Sequence, residues 1–344
     1  MCCTAGAALT APLVSARDEQ HQQKDKPALA VAVLSRNSGS GAAASKFAAL
    51  KTGFDKHCQE RWTLTAEPTQ RAGHAIDLAR RACEEGRADA IIAIGGDGTV
   101  AEVVNGVASA SRPLPIAVCS SGTWNILADA LRLPSPSTVP KLLAAGQTRR
   151  IPLFCVEWRD HSGVKRSRFA FMGIDFGLGA HVVASTEEWK KSVPMLPSVF
   201  WQYLIGPAFL ATAWRHTVSS GKGKIRLEEC LPKHPTESLE PDNCVMLWAH
   251  ARSPFDGSFD RLHVSYSTKE DTPWFPRLAV FFALRQLYNG MAQICPNNRP
   301  VDTFTVSSEA EFDFLIDGEL CRADFVSVKV CDKAVDIFAP NVDR

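Results

Sequence analysis

The chain has no CxxC pair and no Cys/His cluster at zinc spacing, although it holds 11 cysteines in 344 residues. That argues against a zinc-stapled module. Cysteines scattered without a framework of spacings mark reduced, intracellular protein, and most are expected to act as small buried hydrophobes. No run of basic residues interleaves with aromatics, and the net charge is only +1. Nothing in the charge pattern therefore argues for nucleic acid. A spanning helix wants about 20 unbroken apolar residues. The stretch 192–214 lacks charge but is interrupted by Pro194, Pro197 and Pro207. No tandem repeat appears at solenoid periods.

Residues 1–27 read as a disordered tail without periodicity, ending in the polar run His21 to Lys26. Met1 is followed by no basic segment and the apolar part, Ala5 to Val14, is short. A cleaved leader is therefore not expected. Cys2 and Cys3 match no established acylation motif.

What is present is an ordinary globular composition, 45% hydrophobic and 22% charged, in a chain long enough for two domains. The first half alternates two patterns. Ala28 to Leu34, Ala90 to Ile94 and Pro115 to Cys119 are apolar runs of strand length, each followed by a Gly/Ser loop. Helical patterns lie at Ala43 to His57, Ala72 to Glu85 and Val100 to Ala108. Such alternation predicts an α/β domain whose parallel sheet is covered on both faces. Ligands of such sheets bind beyond the carboxyl ends of the strands, where all three loops fall. After about residue 150 the runs become short and alternating, at Arg166–Phe171, Lys224–Glu228, Val245–Trp248, Leu262–Tyr266, Thr303–Val306 and Phe325–Val330. They predict a mostly antiparallel β domain, with the active site in the cleft between the two. The boundaries expected are 28–148 for the α/β domain and 149–344 for the β-rich one. Helical patterns near Ser192–Trp214 and Phe275–Gly290 interrupt the second.

The loop Gly95-Gly96-Asp97-Gly98-Thr99 carries the chemistry. Glycines bring backbone N–H groups close to a phosphate, and the helix that follows adds donors and partial positive charge. Asp97 suits a magnesium ion, or a base for an attacking hydroxyl. No Gly-Lys-Ser/Thr follows, so this is not a Walker A loop. Thr99 and Glu102 also fit a helix capping box.

The segment Ile94 to Gly106 resembles the signature of the diacylglycerol kinase/sphingosine kinase catalytic family. That signature reads Gly-Gly-Asp-Gly-Thr and then Glu-Val-Val-Asn-Gly, here Glu102 to Gly106. Four further segments match in order. Asn37-Ser38-Gly39-Ser40-Gly41 is similar to the first loop, with Ser38 in place of proline. Thr69 with Gly73-His74-Ala75 resembles the segment after the second strand, Gly122-Thr123-Trp124-Asn125 the Gly-Thr-x-Asn loop, and Asp317-Gly318-Glu319 the C-terminal Asp-Gly-Glu. Ala101 stands where the family has asparagine.

The resemblance implies an ATP-dependent lipid kinase using ATP and Mg2+. ATP would be surrounded by Asn37 to Gly41, Thr69, Gly95 to Thr99, Glu102, Gly122, Thr123 and Asn125. Glu319 or Asp317 would serve as base, and Asp97 as base or magnesium partner. Ser253, Asp256 and Ser258 resemble a structural magnesium loop, which a plain turn also explains. His181 and Val183 occupy positions where sphingosine kinases carry the acid that recognises the sphingoid head, which points to diacylglycerol or a related lipid alcohol. The expected partners are a lipid substrate and a membrane surface, with a cytoplasmic location and peripheral membrane association; a homodimer is left open. Two alternatives stand: a kinase of a soluble substrate such as NAD, which shares Gly-Gly-Asp-Gly-Thr, and a nucleotide-binding regulator that has lost catalysis.

Overall fold

The structure is a computed structural model that describes residues 27–35, 42–58, 61–122, 125, 127–128, 131–133, 135, 137, 139–160, 162–192, 218, 222–228, 237–251, 262–270 and 297–340. Residues 1–26 of the expected tail, the loop Asn37 to Gly41, Thr123, the Ser253–Asp256–Ser258 loop and the helical patterns at 193–214 and 275–290 lie outside the described residues.

The three apolar runs form β1 (Ala28–Leu34), β3 (Ala90–Gly95) and β4 (Ile116–Ser120). Every residue of β3 is buried, because helices cover both faces of the sheet. Val31 and Val33 of β1 pack with α2 (His74–Glu84) and α3 (Asp97–Ser109). Ala30 and Ala32, pointing the other way, pack with α1 (Ala42–His57) and α4 (Val139–Ala145). The strand β2 (Trp62–Pro68) was not among the expected runs. It is half-exposed at the sheet edge, alternates Thr and Glu with apolar residues, and ends in proline, so it presents no apolar run.

The parallel order is β2-β1-β3-β4. The sheet does not stay parallel. The long β14 (Glu319–Phe338) joins β4 through Ile337 opposite Ile116, and β5 (Thr148–Arg159) runs antiparallel to β14. Ile151, Val335 and Ile337 belong to the same core as α2 and α3, so the chain's last strand returns to the first layer.

The rest is antiparallel, as the short alternating runs predict. β6 (Lys165–Ala170) pairs with β5. β13 (Thr303–Ile316) pairs with β14, β7 (Ile174–Gly177) and β8 (Gly223–Glu228), while β9 (Glu237–Leu239) pairs with β8. Beyond β7 lie β10 (Cys244–Ala251), β11 (Leu262–Thr268) and β12 (Asn297–Val301). A second core fills one face, with Phe176 stacked on Phe314 at 5.5 Å between ring centroids. The helix α5 (Leu178–Ser192) packs against β7, β10, β13 and β14. Among the described residues no helix is long and apolar enough to cross a membrane.

Candidate active site

Three backbone hydrogen bonds extend the parallel ladder past its strands. Thr69 N–H donates to Leu34 O (2.7 Å), Ser35 N–H to Ile94 O (2.9 Å) and Ser121 N–H to Gly95 O (2.7 Å). They bring Thr69, Gly95 and Ser121 onto one edge, at the carboxyl ends of the strands. The loops touch there: a Cβ on Gly122 would stand 2.6 Å from the Cα of Gly96, so only glycine fits. Asn125, with φ of 51°, closes its own loop. Its Oδ1 accepts from Gly122 N–H (2.9 Å) and its Nδ2 donates to Gly122 O (3.0 Å). The side chain of Lys46 on α1 reaches the same edge, donating to the carbonyl of Ser120.

The helix α3 begins at Asp97, three residues before the expected capping box would start it. Its N-cap is Gly96, with no side-chain cap, and Val100 N–H donates to Gly96 O (3.1 Å). The first-turn N–H groups thus open directly off the glycine loop, with Asp97 in that turn. Glu102 does not close a box with Thr99. It accepts from Gly73 N–H (2.9 Å) and Ala75 N–H (3.1 Å), capping the start of α2. Asn105, 7% exposed, bonds Phe169 of β6 in both directions, donating at 2.9 Å and accepting at 2.8 Å. Gly106 lets α2 pack close, since a Cβ there would stand 2.8 Å from that of Ala79. The second half of the sequence motif is therefore architecture, joining α3 to α2 and to β6.

The Asp317-Gly318 pair is a two-residue hairpin turn between β13 and β14, with φ of 51° and 83° and Ile316 opposite Glu319. The Asp317 carboxylate is 2% exposed. It accepts from the N–H groups of Phe171 (3.2 Å), Met172 (2.8 Å) and Gly173 (3.1 Å). Burial pushes it up to about 6, with Arg168 and these amides pulling the other way. The side chain is thus anchored inside the protein. Glu319 behaves differently. Its side chain is 42% exposed, and one oxygen, Oε1, lies 3.3 Å from where a Cβ on Gly98 would be. The other, Oε2, accepts from Arg168 Nη1 on β6. The C-terminal hairpin and the glycine loop, 221 positions apart from Gly98 to Glu319, therefore meet through this carboxylate.

His181 lies one turn into α5, half-buried. Among the described residues, no group of three or more His, Cys, Asp or Glu side chains could hold a metal.

Sequence reasoning did not single out Arg168 or Asp175. Asp175, on β7, has an Oδ1 that is shut off from water and without a hydrogen-bond partner. Burial pushes its carboxyl up to about 7, against a hydrogen bond from the Phe176 backbone. Its folded pKa lies above the ordinary value near 4, so the folded state holds the proton more tightly. Stability from this group is fully present below about pH 4 and is lost as pH rises through about 7. Melting curves at stepped pH are expected to show wild type losing Tm relative to Asp175→Asn across that window. Parallel profiles would show that Asp175 does not titrate there.

Residues 30–156 match the family described as the diacylglycerol kinase catalytic domain. Sphingoid long-chain bases kinase 1 of Arabidopsis thaliana is 30% identical over 129 residues, 36% of this chain and 16% of that protein. A diacylglycerol kinase of Staphylococcus epidermidis is 44% identical over 74 residues, 22% of this chain and 23% of that protein. The matched stretches thus span less than a quarter of these relatives' own length. A crystal structure of a diacylglycerol kinase from Bacillus anthracis str. Sterne shares the fold, with a TM-score of 0.61 at 15% identity, covering 91% of this chain and 97% of that one. The resemblance carried by the glycine loop is therefore to the diacylglycerol kinase and sphingosine kinase catalytic-domain family, and residues 30–156 are the part of the chain that matches its catalytic domain.

Proposed function

We propose that this protein is an ATP-dependent lipid kinase, transferring the γ-phosphate of ATP to a hydroxyl of diacylglycerol or a related lipid alcohol. The observation that carries this reading is the approach of Glu319 Oε1 to Gly98, which sets a half-exposed carboxylate over a helix N-terminus built to receive phosphate. Phosphoryl transfer needs little else from a protein: donors around the phosphates, compensation of charge, and a group to take the hydroxyl proton. In this reading the N–H groups of Gly96 to Thr99 face the phosphates and Glu319 Oε1 takes the proton. Asp317 keeps the turn in place rather than touching substrate. Residues 28–148 serve the nucleotide, and residues 149–344 serve the lipid, whose location brings the protein to a membrane surface in the cytoplasm.

Magnesium fits on one condition. A nucleotide-borne ion takes most of its oxygen ligands from phosphate and water and needs only one or two carboxylates. Asp97, in the first turn of α3, would be one. Held there, the ion would offset the negative charge of the phosphates. A cage made by the protein alone has no counterpart among the described residues.

Relatives bearing diacylglycerol kinase and sphingoid base kinase names both act, by those names, on lipids, which favours a lipid acceptor over NAD. Labelled-ATP turnover against diacylglycerol, monoacylglycerol, ceramide, sphingosine, phosphatidylglycerol and NAD tests this. Label is expected in diacylglycerol or a related lipid alcohol. Label in NAD alone would overturn the reading, and nucleotide binding without any turnover would favour an inactive regulator.

A further inference from the structure

The glycine loop and the Glu319 hairpin come from opposite ends of the sequence, so something must hold them at a fixed offset. β6 lies between them. Its Phe169 is tied on both backbone groups to Asn105, which lies on α3, the helix that begins in the glycine loop. From Asp97 to Asn105 that helix advances about 12 Å. The next residue back along β6 is Arg168, whose side chain is 16% exposed and whose Nη1 donates to Glu319 Oε2. On the far side, the segment 171–173 that leaves β6 donates three N–H groups to Asp317, two residues before Glu319. The loop, α3, β6 and the hairpin thus form one closed ring of contacts, and Arg168 is the link that touches the reacting carboxylate.

We propose that Arg168 is a positioning residue, holding the Glu319 carboxylate over Gly98 so that Oε1, and not Oε2, faces the acceptor hydroxyl. A guanidinium suits this task. It is always charged, presents donors in a rigid fork, and tolerates partial burial beside a carboxylate. Pairing leaves Glu319 with one oxygen engaged and one presented, which removes rotational freedom of the carboxylate before substrate arrives. An unpaired Glu319, on a half-exposed strand end, would sample other rotamers.

This inference rests on the proposed role of Glu319, and the experiment separates the two. Steady-state rates on the full chain, with labelled ATP and diacylglycerol micelles, are compared for wild type, Arg168→Met, Arg168→Gln, Arg168→Lys, Glu319→Gln and the double variant Arg168→Met/Glu319→Gln. Arg168→Met and Arg168→Gln are expected to lower kcat about 10- to 100-fold, as a misplacement of about 1 Å does, with KM for ATP unchanged. Arg168→Lys should recover part of the loss. The double variant should be no slower than Glu319→Gln alone, because two residues acting as one unit are not additive. A wild-type kcat in Arg168→Gln, a raised KM for ATP in its place, or additive losses in the double variant would overturn the positioning role while leaving Glu319 as base. Full turnover in Glu319→Gln would overturn both.

Discussion

Glu319→Gln is expected to lower turnover by about 10²- to 10⁴-fold, the range in which a positioned acid or base contributes. Glutamine keeps the length and planarity of the side chain and can still accept from Arg168, so the hairpin and its contact with β6 should persist. What it loses is the capacity to take a proton. Nucleotide affinity should change little, since the groups proposed to face the phosphates are the N–H groups of Gly96 to Thr99. The check is kcat alongside ATP affinity measured by titration calorimetry. Loss of kcat with affinity retained supports Glu319 as base, whereas unchanged kcat removes it from the chemistry. Asp317→Asn serves as the contrast. That carboxylate accepts three backbone N–H groups inside the protein, so its replacement should show as lowered thermal stability.

Asp97→Asn is the second large effect, expected to cost on the order of a thousandfold in turnover, as removing one charge-stabilising group from a transition state does. Its signature should differ from that of Glu319→Gln. Asp97 sits in the first turn of α3, beside the amides proposed to face the phosphates, so its loss should weaken ATP binding in the presence of magnesium and leave binding without magnesium nearly unaltered. Calorimetry with and without the ion separates these. Equal turnover in Asp97→Asn and wild type would remove Asp97 from the reaction.

The two residues were unequally legible in the sequence. Asp97 stands in a local pattern, a glycine loop after a buried strand and before a helix, and such patterns survive in one dimension. Glu319 was visible only as part of a short triad with Asp317, and nothing local distinguished a buried anchor from a presented base. That distinction arises from a type I′ turn, which aims the two side chains differently. Arg168 had no signal at all. It falls in the short alternating run Arg166–Phe171, and the bonds that tie Phe169 to Asn105 and residues 171–173 to Asp317 are what hold it beside Glu319.

The helix after the loop teaches the opposite lesson. Its Glu-Val-Val-Asn-Gly run looks chemical because of its polar residues. Glu102 caps α2, Asn105 ties β6, and Gly106 admits α2, so the run fixes the frame on which the chemistry is mounted. The mixed character of the sheet was hidden for a related reason. β14 reaches β4 from the far end of the chain, and long-range pairing leaves no periodic trace.

The most direct measurement of the central claim is a crystal structure of the full chain with magnesium and a non-hydrolysable ATP analogue. The terminal phosphate is expected at the start of α3, held by N–H groups of Gly96 to Thr99, with Glu319 Oε1 within one acceptor hydroxyl of it. A nucleotide bound away from the glycine loop, or one whose terminal phosphate points away from Glu319, would contradict the account.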